Sequence, residues 1–324
     1  MEAKTGASLP GGDGWFYEPK WDGFRCLTFR DAEVVALQSK SGQPLARYFP
    51  ELVEALLALT PSRFVLDGEI VIRRNDQLQF DDLLQRIHPA ESRISRLAAE
   101  TPATLLVFDL LVDARGDSLT ALPLRDRRQR LEDFIAALRG THPLVELSPV
   151  TADRALAETW LREFGRLGLD GIIAKMSGER YHSGDRDAMV KVKRMRTADC
   201  VVGGFRYGEG TTKVGSLLLG LYNEQGQLDH VGFSSSFTAA ERQELTSIVE
   251  RLAGGAGFSG RAPGGPSRWS TARSTQWVPL DPSLVCEVRY DHFSGGRFRH
   301  GTKFLRWRPE KKPHACTVAQ LAPG

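Results

Sequence analysis

Four short stretches of this chain carry residue types suited to phosphoryl chemistry. Lys20-Trp21-Asp22-Gly23, followed by Arg25, closes an extended Phe16-Tyr17-Glu18-Pro19 run. Pro and Gly fix the backbone on either side, so the Lys20 amine sits at a strand end, where it is placed to act as a nucleophile. Asp67-Gly68-Glu69 follows a strand-like run and puts Glu69 near the rim of a sheet. Asp170-Gly171-Ile172-Ile173-Ala174-Lys175 repeats an acid-then-lysine pattern, and Lys191-Val192-Lys193 alternates, so both lysines share one strand face. Taken alone, the K-x-D-G tetrapeptide reads as a surface turn with a solvated lysine, and each of the others as a strand with charged ends. Together they offer two carboxylates and several ammoniums to one pocket, as metal-assisted phosphoryl transfer demands. The carboxylates hold a divalent cation while the lysines neutralise phosphate oxygens.

The elements that must position these groups read as mixed α and β. Between Trp15 and about Lys193, β-branched and aromatic runs predict strands over Phe24 to Phe29, Glu33 to Leu37, Phe64 to Ile72, Thr104 to Leu111, Leu144 to Val150, Gly171 to Met176 and Met189 to Val192. Amphipathic segments predict helices over Phe49 to Leu59, Phe80 to Ile87, Leu124 to Leu138 and Arg154 to Leu167. The start, Lys4 to Gly14, is small and Gly-rich and is expected to fray. After the basic stretch Lys191 to Arg196 the character changes to five short β runs, Asp199 to Tyr207, Ser216 to Tyr222, Asp229 to Phe233, Leu284 to His292 and Thr302 to Arg308, with one helix inserted over Thr238 to Leu252. That pattern suits a small OB-type barrel. Ala253 to Thr275 reads as a long surface loop. The expected division is 1–195 and 196–324.

Composition sets outer bounds. With 324 residues, 41% hydrophobic and 26% charged, the chain has ordinary globular composition and room for two cores. A formal net charge of +3 excludes histone-like binding, so affinity for an anionic polymer must come from local clusters. Three such clusters are Lys191 to Arg196; Arg261, Arg268 and Arg273; and Arg297 to Lys312, whose only acid is Glu310. A solvated face explains any one of them, but three beside an OB-type module favour phosphate-backbone contacts. Cys26, Cys200, Cys286 and Cys316 lie far apart without a C-x-x-C pair, which argues against a zinc site and for a reducing compartment, hence the cytoplasm. The apolar run Leu105 to Val112 is too short to span a bilayer and contains Asp109, and no signal-peptide pattern opens the chain.

In this order, the motifs resemble those of the covalent nucleotidyltransferases: ATP-dependent DNA ligases, RNA ligases and mRNA capping enzymes. Lys20 to Gly23 is similar to motif I, Ser39 to Gly42 to motif Ia, Asp67 to Glu69 to motif III and Val107 to Leu110 to motif IIIa. Asp170 to Lys175 is similar to motif IV, Val190 to Lys193 to motif V, and Leu305 to Lys311 to motif VI. Glu-Pro-Lys-Trp-Asp-Gly-Phe-Arg and the Arg289 to Arg308 tail bring it nearest to small bacterial two-domain ligases, the DNA ligase C type and the ligase domain of DNA ligase D. The resemblance implies an α+β adenylation domain with mixed sheets followed by an OB-fold β-barrel. Three positions depart from the pattern. Asp170 stands where Glu is usual, so its metal contact can run through water; Lys40 replaces an Arg and cannot bind phosphate bidentately; Glu310 replaces Asp.

The resemblance also implies roles. Lys20 attacks the α-phosphate of ATP, and its amine must be unprotonated to do so, a form that neighbouring cations such as Lys175, Lys193 and bound metal favour. Phe108 stacks on adenine, although an aromatic within Leu105 to Leu111 is equally a core residue. Glu18 and adjacent backbone read the adenine edge; otherwise Glu18 is an exposed strand-end acid. Arg25 and Glu69 contact the ribose and phosphate region, Asp22 holds the pocket's geometry or assists metal binding, and Lys40, Lys175, Lys191 and Lys193 meet the phosphates, with Lys191 alternatively a solvated flank. Glu69 and Asp170 hold Mg2+ or Mn2+. Arg308 and Lys311, in motif VI, act when the OB domain closes over the nucleotide, orienting the β- and γ-phosphates. Only 19 residues precede Lys20, too few for the domain with which NAD-dependent ligases bind nicotinamide mononucleotide, so ATP is expected. A helical DNA-binding domain before the catalytic one is excluded on the same ground. The expectation is a monomeric ATP-dependent DNA ligase acting on nicked double-stranded DNA in repair, with no membrane association. A capping enzyme or RNA ligase shares the lysine chemistry but uses GTP or RNA ends. A non-catalytic OB-type binding protein has basic loops but no reason to combine Lys20, Glu69, Asp170, Lys175 and Lys193.

Overall fold

Trp15–Lys20, Gly171–Met176 and Met189–Lys193 each combine an apolar run with one or two charged residues, and the computed structural model makes these strands neighbours in one antiparallel arrangement. The structure describes residues 1–321 except 76, 139–142, 164–168 and 265–275. They fall into two compact units, Met1–Arg194 and Met195–Gly324.

In the first unit, Gly171 lies opposite both Lys20 and Lys193, and Ile173 opposite both Glu18 and Lys191. Side chains alternate across a strand, so Glu18, Lys20, Lys175, Lys191 and Lys193 crowd one face. Tyr17, Ile172, Ala174 and Val192 take the other, where they pack with Leu9 and Ala157. The helix Arg154–Glu163 supplies Ala157, Trp160 and Leu161 at helical spacing to that apolar face. Its expected continuation through Leu167 runs beyond Glu163 into 164–168, outside the described residues.

The sequence reading of a frayed start is corrected. Lys4–Thr5 adds a parallel strand beside Val190 and Lys191, Leu9 is buried, and the Tyr17 hydroxyl donates to the Pro10 carbonyl at 2.7 Å. Small residues there follow the close packing against Tyr17 rather than disorder.

A second sheet in this unit runs in the order Val34–Ser39, Phe24–Asp31, Arg63–Val71, Thr104–Val112, Val145–Leu147. Cys26, Leu66, Ile70, Leu105, Val107 and Leu110 form its core face under helices Pro50–Leu57 and Leu124–Ala137. The pairing register skips Phe108: Asp67 lies opposite Asp109, and Gly68 opposite Val107. Such a bulge lets one side chain be re-aimed without shifting the residues that follow out of the core. A helix over Glu91–Glu100 escaped the sequence reading, because its apolar stripe is only Ile94, Leu97 and Ala98 among polar residues.

In the second unit the sheet order is Leu228–Ser234, Val214–Tyr222, Arg196–Tyr207, Val285–Tyr290, Lys303–Trp307, with Val278–Pro279 also paired to Arg196–Tyr207. The helix Ala239–Val249 is inserted after the third strand in sequence and starts with a capping box between Thr238 and Glu241. The sheet curls until its edge strands meet at a parallel bridge between Ser234 and Thr302, where the Ser234 hydroxyl donates to the Thr302 carbonyl at 3.0 Å. This is the order of an OB-type module, joined at one point rather than closed along whole strands. Within the expected surface loop Ala253 to Thr275, Phe258 is buried against Trp277. Arg268 and Arg273 lie outside the described residues. Cys26, Cys200, Cys286 and Cys316 are all free and buried.

Candidate active site

The charged face of the first sheet opens on a cavity of about 540 Å³ in the first unit, within the ~300–1,000 Å³ typical of ligand sites. Glu18, Lys20, Arg25, Lys40, Glu69, Phe108, Lys175 and Lys191 all line it. Asp22, Asp170 and Lys193 are not among the lining residues, but Asp170 reaches it through Lys20, whose Nζ donates to Asp170 Oδ2 at 2.7 Å. Lys193 Nζ stands 3.9 Å from the same oxygen. One carboxylate thus lies between two lysines from the strands on either side of Gly171.

That closeness depends on glycine. Gly171 has φ +154°, and a Cβ there would meet the Val192 carbonyl oxygen at 2.1 Å. Gly23 plays the same part after Lys20, where a Cβ would lie 2.2 Å from the Ile70 carbonyl oxygen. The two glycines bring the Lys20 turn against its neighbouring strands.

The lysines expected to favour a neutral Lys20 amine are otherwise engaged. Lys175 Nζ pairs with Glu18 Oε2 at 2.7 Å and sits 4.3 Å from the centre of the Phe108 ring. The charged group in contact with Lys20 is instead the Asp170 carboxylate, which holds the amine in place as a hydrogen-bond donor. Glu18 is 2% exposed, so it is not a solvated strand-end acid. Burial pushes its carboxyl above the usual range, and Lys175 opposes that shift. Phe108 lies outside the core cluster, and the register bulge aims its ring at the cavity between Lys175 and Arg25, whose guanidinium carbon is 6.0 Å from the ring centre.

Arg25 is held by a bidentate pair with Asp67, at 3.1 and 2.6 Å, and Tyr181 donates to Asp67 Oδ2 at 2.8 Å. Behind Phe108, Asp109 pairs with Arg127 at 2.8 and 2.9 Å, both side chains buried. Glu69 faces the cavity without a side-chain hydrogen bond or ion pair among the described residues. Burial pushes its carboxyl up to about 8, against the opposing pull of Lys20 and Arg25. Glu69 and Asp170 both offer hard carboxylate oxygens, the donor type that suits a divalent cation. Lys191 is held below its ordinary range by burial and by Lys193, Lys20 and Lys40. An anion entering the cavity relieves that crowding.

Sequence reasoning missed several lining groups. Glu2 ion-pairs with Lys40 at 3.0 Å and with Arg186 at 2.7 Å, so residues before Lys20 build part of the cavity wall. Trp21 donates from Nε1 to the Ser148 hydroxyl at 2.9 Å. Arg186 also lines the cavity but lies between motif-like stretches, and nothing in its local pattern points there. Arg308 and Lys311 belong to the second unit, where both ion-pair with Asp199, at 2.9 and 3.2 Å.

Comparison with known proteins follows the same division. Residues 6–193 match a family model described as ATP dependent DNA ligase domain, and residues 210–311 one described as ATP dependent DNA ligase C terminal region. The chain is 46% identical to DNA ligase C1 of Mycolicibacterium smegmatis, across 99% of this chain and 92% of that one. It is 45% identical to DNA ligase C of Mycobacterium tuberculosis, across 94% and 88%. Among solved structures it is similar to the ligase domain of M. tuberculosis LigD, with TM-score 0.50 and 29% identity over 98% of this chain and 97% of that one.

Proposed function

Because the chain belongs to the ATP-dependent DNA ligases, we propose that Lys20 is the residue through which it takes AMP from ATP before sealing a nick. Nick sealing runs through an enzyme-adenylate, an adenylated 5′-phosphate and attack by the 3′-hydroxyl. In the first step the unprotonated Lys20 amine attacks the α-phosphorus, an N–P bond forms as one N–H proton is lost to solvent, the bond to the β-phosphate breaks, and pyrophosphate leaves. The observation that carries this reading is the Lys20–Asp170 contact at 2.7 Å beside a cavity lined by six further cationic side chains, Lys4, Arg25, Lys40, Lys175, Arg186 and Lys191.

The same reading gives roles to the other residues. Phe108, turned out of the core, gives adenine a stacking face. Glu18 and the strand beside it read the base edge. Arg25, locked by Asp67, meets the ribose and phosphate region together with Glu69. Lys40, Lys175, Lys191 and Lys193 neutralise phosphate oxygens, and Asp22 shapes the Lys20 turn. Asp170 fixes the position of the amine. Glu69 and Asp170 are the residues that would hold Mg2+ or Mn2+, which when bound supplies positive charge to phosphate oxygens. Arg308 and Lys311 orient the departing pyrophosphate, whose dense negative charge two adjacent cations stabilise.

The enzyme acts, in this reading, as a monomer on nicked double-stranded DNA during cytoplasmic repair. No described helix is long and apolar enough to cross a membrane. Nick sealing assayed in parallel with ATP, GTP and NAD, on DNA and RNA nicks, tests it. Sealing of DNA with ATP alone is expected; sealing driven by GTP, or confined to RNA, contradicts it.

A further inference from the structure

The second unit contains an ion-pair cluster that the proposed chemistry has not used. Asp199, on the strand Arg196–Tyr207, lies directly opposite Glu287 on Val285–Tyr290. The next strand, Lys303–Trp307, leads into Arg308, whose backbone N–H donates to the Val285 carbonyl at 2.8 Å. From there Arg308 Nη1 reaches Asp199 Oδ1 at 2.9 Å, and Glu287 Oε2 lies 3.5 Å from the same nitrogen. Lys311 Nζ reaches the other Asp199 oxygen, Oδ2, at 3.2 Å. One carboxylate therefore takes both cations, one on each oxygen.

The carboxylate is itself held. Asp199 donates its backbone N–H to Gln320 Oε1 at 2.9 Å, and Gln320 Nε2 donates to the Asp199 carbonyl at 3.0 Å. Asp199 has a side chain 12% exposed, while that of Lys311 is 36% exposed, so a shielded anion carries a partly open cation. Arg308 is further restrained by Glu310, whose Oε1 lies 2.5 Å from its Nε. Long cationic side chains lose much rotamer freedom when they are ordered, and here Asp199, Glu287 and Glu310 impose that order within the unit.

We propose that Asp199 is a positioning residue for the reaction with ATP, setting the spacing and direction of the Arg308 and Lys311 head groups before they meet the pyrophosphate moiety. The inference rests on the reading of Arg308 and Lys311 given above. It assigns Asp199 no contact with substrate. An ordinary surface ion pair contributes little and concerns one partner. A shared carboxylate, anchored through its backbone and linked to both cations of one motif, fixes their mutual geometry.

The test compares Asp199→Asn, Arg308→Ala and the double variant in the full chain, measuring AMP loading from ATP and sealing of pre-adenylated nicks separately, with melting temperature as a control on folding. Asn keeps the shape and one acceptor but removes the charge. The expected result is a roughly tenfold slower reaction with ATP, sealing of pre-adenylated nicks within about twofold of the parent, and a smaller loss of ATP reaction on adding Asp199→Asn to Arg308→Ala than to the parent, because only Lys311 is then left to position. Asp199→Glu is expected to recover part of the loss. Unchanged ATP reaction in Asp199→Asn, or losses that add in the double variant, overturn the assignment while leaving the role of Arg308 standing. Equal losses in both steps for Arg308→Ala reject that role, and the assignment of Asp199 with it. Equal losses in both steps for Asp199→Asn, with a lowered melting temperature, mark it as structural and also reject the proposal.

Discussion

At the residue scale, the candidate site places one carboxylate in contact with the proposed nucleophile and leaves another without a side-chain hydrogen bond or ion pair among the described residues. Asp170 holds Lys20, whereas Glu69 faces the cavity and is pushed up to about 8 by burial. A carboxyl raised in the folded state is protonated there while the unfolded chain has already lost its proton. The folded state then binds more protons, and stability falls as pH rises from the ordinary glutamate range to about 8. Without added divalent cation, Glu69→Gln is expected to melt at a higher temperature than the parent at pH 8.5, the gap shrinking towards pH 5, although the variant loses AMP loading. Thermal melts across that range check it. A gap that is constant with pH contradicts the assignment of strain to this carboxyl.

At the element scale, the candidate catalytic face is a product of strand register. Glu18, Lys20, Lys175, Lys191 and Lys193 come together because Gly171 and Ile173 each lie between partners on both sides. Gly171→Ala puts a methyl group 2.1 Å from the Val192 carbonyl oxygen at φ +154°, so the strands must separate. The expected cost is about 2–3 kcal/mol of stability, with AMP loading impaired beyond what the stability loss explains. Denaturation curves and loading rates measured together decide this. Much of this layout was legible beforehand. The alternation in Lys191 to Lys193 placed those two lysines on one face, the acid-then-lysine pattern singled out Asp170 to Lys175, and the Pro and Gly around Lys20 marked a fixed backbone. Three things were not legible. The bulge that turns Phe108 outward depends on how Asp67 and Gly68 pair with a strand far away in sequence, so the local run reads as core. The Lys4–Thr5 strand depends on a parallel partner near Val190, and a small, Gly-rich start gives no hint of it. The Asp67–Tyr181 and Asp199–Lys311 contacts join residues more than a hundred positions apart, where only the folded chain brings charge to charge.

At the scale of the whole molecule, the proposed hold on nicked DNA draws on basic clusters rather than on bulk charge. Among the described residues, Arg306 already pairs with Glu287 at 2.7 Å and Arg308 with Asp199, so part of the positive charge in Arg297 to Lys312 is neutralised within the second unit. Binding that depends on phosphate contacts releases counterions and weakens steeply with salt. Nick sealing is therefore expected to fall at least about tenfold between 50 and 200 mM salt, while AMP loading from ATP changes far less. Parallel rates for the two steps check this, and sealing that is indifferent to salt contradicts an electrostatic hold on the DNA.

The central claim is that Lys20 carries AMP. Intact-mass measurement after exposure to ATP and Mg2+ tests it most directly, with the parent chain and Lys20→Ala side by side. The parent is expected to gain the mass of one adenylyl group, and Lys20→Ala, still folded by its melting curve, to gain none, because no other side chain in the cavity offers an amine at the same place. An adenylyl adduct that persists in Lys20→Ala would contradict the account.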